Sequence, residues 1–382
     1  MDEASPFDVG SARLRARRGI KWSKHPDALP LWVADMDFDP PPAVTATLRG
    51  YVDRGDLGYS RIGADLAEAY AGWQHDRHGW SPDVERVETF TSALHALEIV
   101  LWHLTEPGDG VVVFTPVYFP FLSAIESSGR RRVEVPLDPD GWRIDPERLE
   151  AAVDEGTRVV LFCHPHNPTG RVYDAEEIAA LAAVAERHDL LVISDEIWAD
   201  LTFDDATFVP LALADERFGG RLVTIGSASK AFNLAGMRCA VAHIDHVPTN
   251  ELLATMPAHL RGAPSTLGIA ATLAAWCESA GWLDDLRSEL TARRARLSAR
   301  LASVPSVRFD PPQATYLAWL DFREAALGGD PAEALLEAGV VLSAGPPFGG
   351  VSEGFARLNF ATTAAVLDEA LDRIARAVRS AT

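Results

Sequence analysis

Short apolar runs rich in β-branched residues recur through the first two thirds of the chain, at 87–90, 111–114, 159–163, 190–194, 222–227 and 239–244. Segments with helical periodicity lie among them, at 94–104, 121–127 and 176–188. Runs with no polar alternation suit strands covered on both faces, and crossover helices between them give a mostly parallel sheet. Only 11 residues separate 227 from 239. That is short for a parallel crossover, so the strand at 239–244 is expected to be antiparallel.

The pattern changes after Gly281. An amphipathic stretch at 282–303 reads as a long connecting helix. Beyond it come strand-like runs at 307–309, 316–322 and 340–343, a helix at 331–338, an apolar strand containing Arg357, and a closing helix at 363–380. The chain therefore divides into an N-terminal arm (1–45), a large domain (46–281) and a small C-terminal domain (282–382), with the arm expected to pack on the last. Asp39-Pro40-Pro41-Pro42 reads as a rigid turn before a helix.

Composition narrows the partners. With 382 residues and 47% hydrophobic positions the chain supports a sizeable core. Its formal charge of −20 disfavours nucleic acid and anionic membrane surfaces. Small anionic ligands must then be caught by local arginines and helix ends. Three cysteines, Cys163, Cys239 and Cys277, have no metal-like spacing, so neither a disulfide framework nor a metal site is expected, and a reducing cytoplasm fits. No targeting signal or membrane span is apparent. The basic residues between Arg13 and Arg18 suit solvated surface or a subunit contact.

Candidate chemistry clusters just after the apolar runs. Lys230 ends Ser227-Ala228-Ser229-Lys230, where its amine can form a Schiff base with an aldehyde cofactor, pyridoxal 5'-phosphate, while hydroxyls and a cation hold the phosphate. A solvated loop lysine is the plain alternative. Asp195, in Ser194-Asp195-Glu196-Ile197, can keep a pyridine nitrogen protonated, or can merely cap a helix. Asn167, in His166-Asn167-Pro168-Thr169-Gly170, offers an amide donor to the ring's phenolic oxygen, or forms an ordinary turn. Arg357 can clamp a carboxylate through two parallel hydrogen bonds, or pair with a local acid. Thr91-Ser92-Ala93-Leu94 places a hydroxyl and free amides at a helix start, suited to phosphate.

Asn167, Asp195, Lys230 and Arg357, in that order and spacing, resemble the aminotransferase class I/II superfamily of fold type I pyridoxal-phosphate enzymes. Leu29-Pro30-Leu31-Trp32-Val33-Ala34-Asp35-Met36-Asp37-Phe38 and Ala314-Thr315-Tyr316-Leu317-Ala318-Trp319 are similar to its cystathionine β-lyase (C–S β-lyase) branch. The resemblance implies an α/β fold whose seven-stranded, mostly parallel sheet lies between helices, beside a smaller α+β domain. It implies that Ser92, Ala93, Leu94, Ser227, Ser229 and Arg238 hold the phosphate and that Tyr118 stacks on the ring and serves catalysis. A hairpin role is the structural alternative for Arg238, and a core aromatic for Tyr118. Asp35 and Arg357 then face the substrate, while Tyr59 reaches the neighbouring subunit's site, which implies a homodimer. Where the family usually has Tyr or His three residues after the aspartate, this chain has Trp198, which donates one proton but does not titrate.

The resemblance implies α,β-elimination from cystathionine, cysteine or an S-substituted cysteine, with transamination as the alternative. Decarboxylation-coupled deamination of a cysteine conjugate is a third option. A purely regulatory binding protein on this fold would lack reason for the lysine, and no basic helix-turn-helix precedes it.

Overall fold

The computed structural model describes residues 5–59 and 64–381. Its strands are β1 (Leu29–Pro30), β2 (Val87–Phe90), β3 (Gly110–Thr115), β4 (Arg131–Pro136), β5 (Thr157–Cys163), β6 (Leu191–Asp195), β7 (Leu222–Gly226), β8 (Ala240–Ile244), β9 (Leu317–Asp321), β10 (Val340–Val341), β11 (Ser343–Ala344) and β12 (Phe355–Asn359). Seven of them form one sheet in the order β2-β8-β7-β6-β5-β3-β4. The central pairings are parallel, and β8 runs antiparallel to both neighbours, as its short connection requires.

Strands β3, β5, β6, β7 and β8 are buried almost throughout because helices cover both faces. Their side chains alternate between two apolar layers. Val111, Val113, Val159, Leu161, Ile193, Val223 and Ile225 enter one layer. Val112, Phe114, Val160, Phe162, Val192 and Leu222 enter the other. This period of two decides which face of the sheet each polar residue at a strand end will meet.

The edge strand β4 has no counterpart in the sequence reading. Arg131, Arg132 and Pro136 are exposed while Val133 and Val135 are buried, so its alternation gives no apolar run. The run at 307–309 is not a strand; only Arg308 bridges to Asp321. The long helix is Ala280–Leu301, and Gly281 lies in its first turn without interrupting it.

The second sheet, β11-β12-β9, is antiparallel and belongs to the C-terminal third. The N-terminal segment packs on it: β1 pairs with β10, and the amide of Asn359 donates to the Leu31 carbonyl. Asn359 Nδ2 donates to the carbonyls of Val33 and Asp35 at 2.6 and 2.7 Å. Residues 31–35 are thereby pinned along β12, and the Met36 amide donates to Asn233 Oδ1, between β7 and β8, at 2.9 Å. Among the described residues, no helix is long and apolar enough to cross a membrane.

Candidate active site

One cavity opens at the carboxyl ends of β5, β6 and β7, where ligands of open α/β sheets bind. Strand β7 ends at Gly226, where a Cβ would lie 2.6 Å from the Tyr70 ring, so the chain turns there without a side chain. Ser227 Oγ donates to the Cys239 carbonyl at 2.7 Å and accepts from the Ser229 amide at 3.2 Å. This tight turn delivers Lys230 into the cavity. Its Nζ donates to the Ala34 carbonyl at 3.1 Å and lies 5.4 Å from the centre of the Trp198 ring. Burial lowers the pKa of this amine, against the opposing pull of Asp35 and Asp195.

Asp195 closes β6 on the same side, its Oδ1 accepting from the Ile197 amide at 3.2 Å. Burial raises its pKa to about 6, while the Ile197 amide and Lys230 act to lower it. Asn167 forms another wall. Arg357 Nη1 donates to Asn167 Oδ1 at 2.9 Å. A guanidinium only donates, so this bond fixes the amide and leaves its NH2 to the other side. Trp198 is buried and held edge-on to Tyr316 at 4.9 Å. Tyr118 starts the helix Phe119–Ser127, and burial raises its phenol pKa.

At the opposite end, Ser92 caps the helix Ala93–Leu104 by accepting from the His95 amide at 3.1 Å. Ser92, Ala93, Leu94, Ser227, Ser229 and Arg238 line the cavity together. Arg238 adopts a left-handed backbone at φ 54°.

A phosphorylated pyridine aldehyde fits this donor set. Most arginines of this acidic chain sit on carboxylates, yet neither Arg238 nor Arg357 has one within ion-pair distance among the described residues. Arg357 is buried, and its Nε has no hydrogen-bond partner, although Nη2 donates to the Trp32 carbonyl at 3.0 Å. Burial lowers its pKa to about 10. A buried cation without a counter-ion is costly, and an arriving carboxylate would relieve it. The helix start with Arg238 offers a second anion place, suited to phosphate.

The fold thus brings Ser92, Ala93, Leu94, Tyr118, Asn167, Asp195, Trp198, Ser227, Ser229, Lys230 and Arg238 to one cavity. Arg357 stands behind Asn167, and Asp35 lines an adjoining recess. Tyr59 is fully exposed and outside the cavity of its own chain; residues 60–63, which follow it, lie outside the described residues. Sequence reading missed Tyr316 as a site residue. Its hydroxyl donates to the Ala34 carbonyl at 2.8 Å, the same oxygen that Lys230 uses. It also missed Cys163 and Cys239 as cavity walls, although both sit at strand ends. No cluster of metal-ligating side chains occurs among the described residues.

The family model for aminotransferase class I and II matches residues 26–374, and the chain belongs to that family. Within it, the chain is 34% identical over 385 residues to cystathionine beta-lyase PatB of Bacillus subtilis, covering 97% of this chain and 99% of that protein. It is 34% identical to the cystathionine beta-lyase of Corynebacterium glutamicum, covering 95% and 97%. The PLP-bound C-S lyase of Staphylococcus hominis superposes with a TM-score of 0.90 at 28% identity, covering 97% of each chain.

Proposed function

We propose that this chain is a pyridoxal-phosphate-dependent carbon–sulfur β-lyase, acting on cystathionine, cysteine or an S-substituted cysteine. One observation carries the reading: a single cavity presents Lys230, Asp195 and Arg238, with Arg357 behind its Asn167 wall, and among the described residues neither arginine has a carboxylate partner. Names of relatives at 34% identity support the same class.

When bound, the cofactor supplies an electron-withdrawing ring that acidifies the Cα–H bond of an attached amino acid. Lys230 would hold the aldehyde carbon. Ser92, the backbone amides at 93 and 94, Ser227, Ser229 and Arg238 take the phosphate. Asp195 keeps the proton on the ring nitrogen, Asn167 donates to the phenolic oxygen, and Tyr118 stacks on the ring. Arg357 orients the substrate's α-carboxylate through its unsatisfied edge. Lys230 Nζ would accept the Cα proton of the substrate, a role that its lowered pKa favours. The Cα electron pair would form a Cα=Cβ bond as the Cβ–S bond breaks with its pair on sulfur, and the proton taken up by Lys230 could pass to the departing thiolate. Hydrolysis of the remaining enamine gives pyruvate and ammonia.

The exposed Tyr59 fits a homodimer in which it reaches the partner's site. The β1–β10 pairing supports an arm at 1–45 joined to a small domain at 282–382, beside a large domain at 46–281. Three free thiols suit a cytoplasmic setting.

Lys230→Ala tests the assignment: pyruvate release from L-cystathionine is expected to vanish together with the visible absorption of the lysine-bound cofactor. Unchanged turnover would overturn it. Transamination shares every residue up to Cα deprotonation, and formation of a sulfur-bearing keto acid without thiol would replace lyase with aminotransferase.

A further inference from the structure

A second recess adjoins the cofactor cavity. The two share Ala235 as a wall, and consecutive residues divide between them: Ala34 faces the cavity and Asp35 the recess. Arg17, Arg18 and Lys21 bring three cations to the recess.

Two of these cations are already satisfied. Lys21 is buried, with Nζ 3.1 Å from Asp37 Oδ2 and donating to the Asp35 carbonyl at 2.9 Å. Arg17 donates to Asp39 at 3.2 Å and to the carbonyls of Met36 and Phe38. Arg18 differs: among the described residues it has no hydrogen bond and no ion pair. The same is true of the Asp35 side chain, which is half-buried. Only its backbone carbonyl is engaged, by Lys21 and Asn359. The Asp35 carboxylate is nonetheless close enough to Lys230 to be the strongest charge opposing the fall of that amine's pKa. A recess next to the reacting lysine therefore offers one free carboxylate and one free guanidinium.

That pairing is the complement of a zwitterion. We propose that the recess is a distal substrate subsite selecting thioethers that carry a second α-amino-acid end, with Arg18 taking its carboxylate and Asp35 its ammonium group. The inference rests on the lyase reading above and narrows its substrate class. Cysteine and S-methylcysteine have nothing to place there, whereas L-cystathionine has a complete amino-acid end beyond its sulfur.

The test compares L-cystathionine with S-methyl-L-cysteine. Arg18→Ala is expected to raise KM for L-cystathionine about tenfold, the loss of one charge-assisted contact, and to leave S-methyl-L-cysteine within about twofold. Arg18→Glu should act more strongly in the same direction. Binding of both compounds to the cofactor-loaded Lys230→Ala protein, measured by titration calorimetry, should show a preference for L-cystathionine that Arg18→Ala removes. Equal affinities before the change, or a preference that survives both substitutions, would overturn the subsite. So would a change in solution mass with equal effects on the two compounds, which would assign Arg18 to contact between copies. Failure of the lyase reading is a separate result: native protein yields no pyruvate from either compound, whatever the calorimetric preference.

Discussion

Asp195 and Glu196 are adjacent in the chain and both buried, yet the period of two at the end of β6 sends them to opposite faces of the large sheet. Asp195 meets the cavity, near Lys230. Glu196 meets the packed rear, where its Oε1 accepts from Ser194 Oγ at 2.9 Å and from the Leu211 amide at 3.1 Å, while Oε2 has no partner. Burial raises both pKa values, to about 6 in front and about 8 behind. Burial is the main cause in both; the Ile197 amide and Lys230 act to lower the first, while Asp195 adds a smaller upward push to the second against its hydrogen bonds from Leu211 and Ser194. Near neutral pH the pair carries one negative charge, on the face that lines the cavity. A neutral acid behind and an anion in front are thus set by environment rather than by residue type.

The comparison is broken or upheld most decisively by removing each charge in turn. Asp195→Asn takes away an anion that the proposed chemistry uses, and kcat for pyruvate release is expected to fall on the order of a thousandfold. Glu196→Gln replaces a group already neutral with a neutral isostere, so kcat should stay within about twofold, as for a change that removes no transition-state interaction. A fall of similar size in both variants would mean that Glu196 is ionised, and the contrast would fail.

Much of this arrangement was legible before the fold was known. Strands β3, β5, β6 and β7 announce themselves because both faces are buried, and the motif residues fall just past their ends. The edge strand β4 does not, because half of its side chains are solvated. Alternation alone places Glu196 opposite Asp195, but not in the dark: its burial depends on Leu211, fifteen residues on, whose amide closes over it. Tyr316 and the Ala34 carbonyl meet Lys230 only through long-range packing, with the Tyr316–Ala34 contact spanning 282 positions. Residues carried by local turns could be read from their own segments, and Arg357 from its residue type and order in the chain, whereas its contact with Asn167, 190 positions away, and the Tyr316–Ala34–Lys230 contact could not.

A second measurement sharpens the contrast through stability. Glu196 has a folded pKa of about 8 against an ordinary 4.5, so the folded state binds the proton that the unfolded state has released. The stabilisation is fully present below about pH 4.5 and is lost as pH rises toward about 8, which amounts to roughly 3 kcal/mol at pH 7. Glu196→Gln removes this dependence. In urea melts the variant should therefore be more stable than the native protein at neutral pH, with a difference that shrinks toward pH 5. Asp195 is unchanged in both proteins, so its own dependence cancels. A constant difference across that range would show that Glu196 does not hold a proton in the folded chain.

The smallest expected effect isolates one hydrogen bond behind the sheet. Ser194 Oγ donates to Glu196 Oε1, and that bond favours the ionised carboxyl, acting to lower its pKa. Ser194→Ala leaves the Leu211 amide as the remaining donor and should reduce stability by about 1 kcal/mol. The sign of the pH effect is the sharper test. Without the hydroxyl the carboxyl holds its proton more tightly, so the pH at which stability stops falling should move upward from about 8. Denaturant midpoints followed against pH in the variant and the native protein measure that shift directly. An upward shift widens the gap between the two neighbouring acids; a downward one would mean that the hydroxyl stabilises the protonated acid, and that the rear carboxyl is kept neutral by a bond rather than by burial.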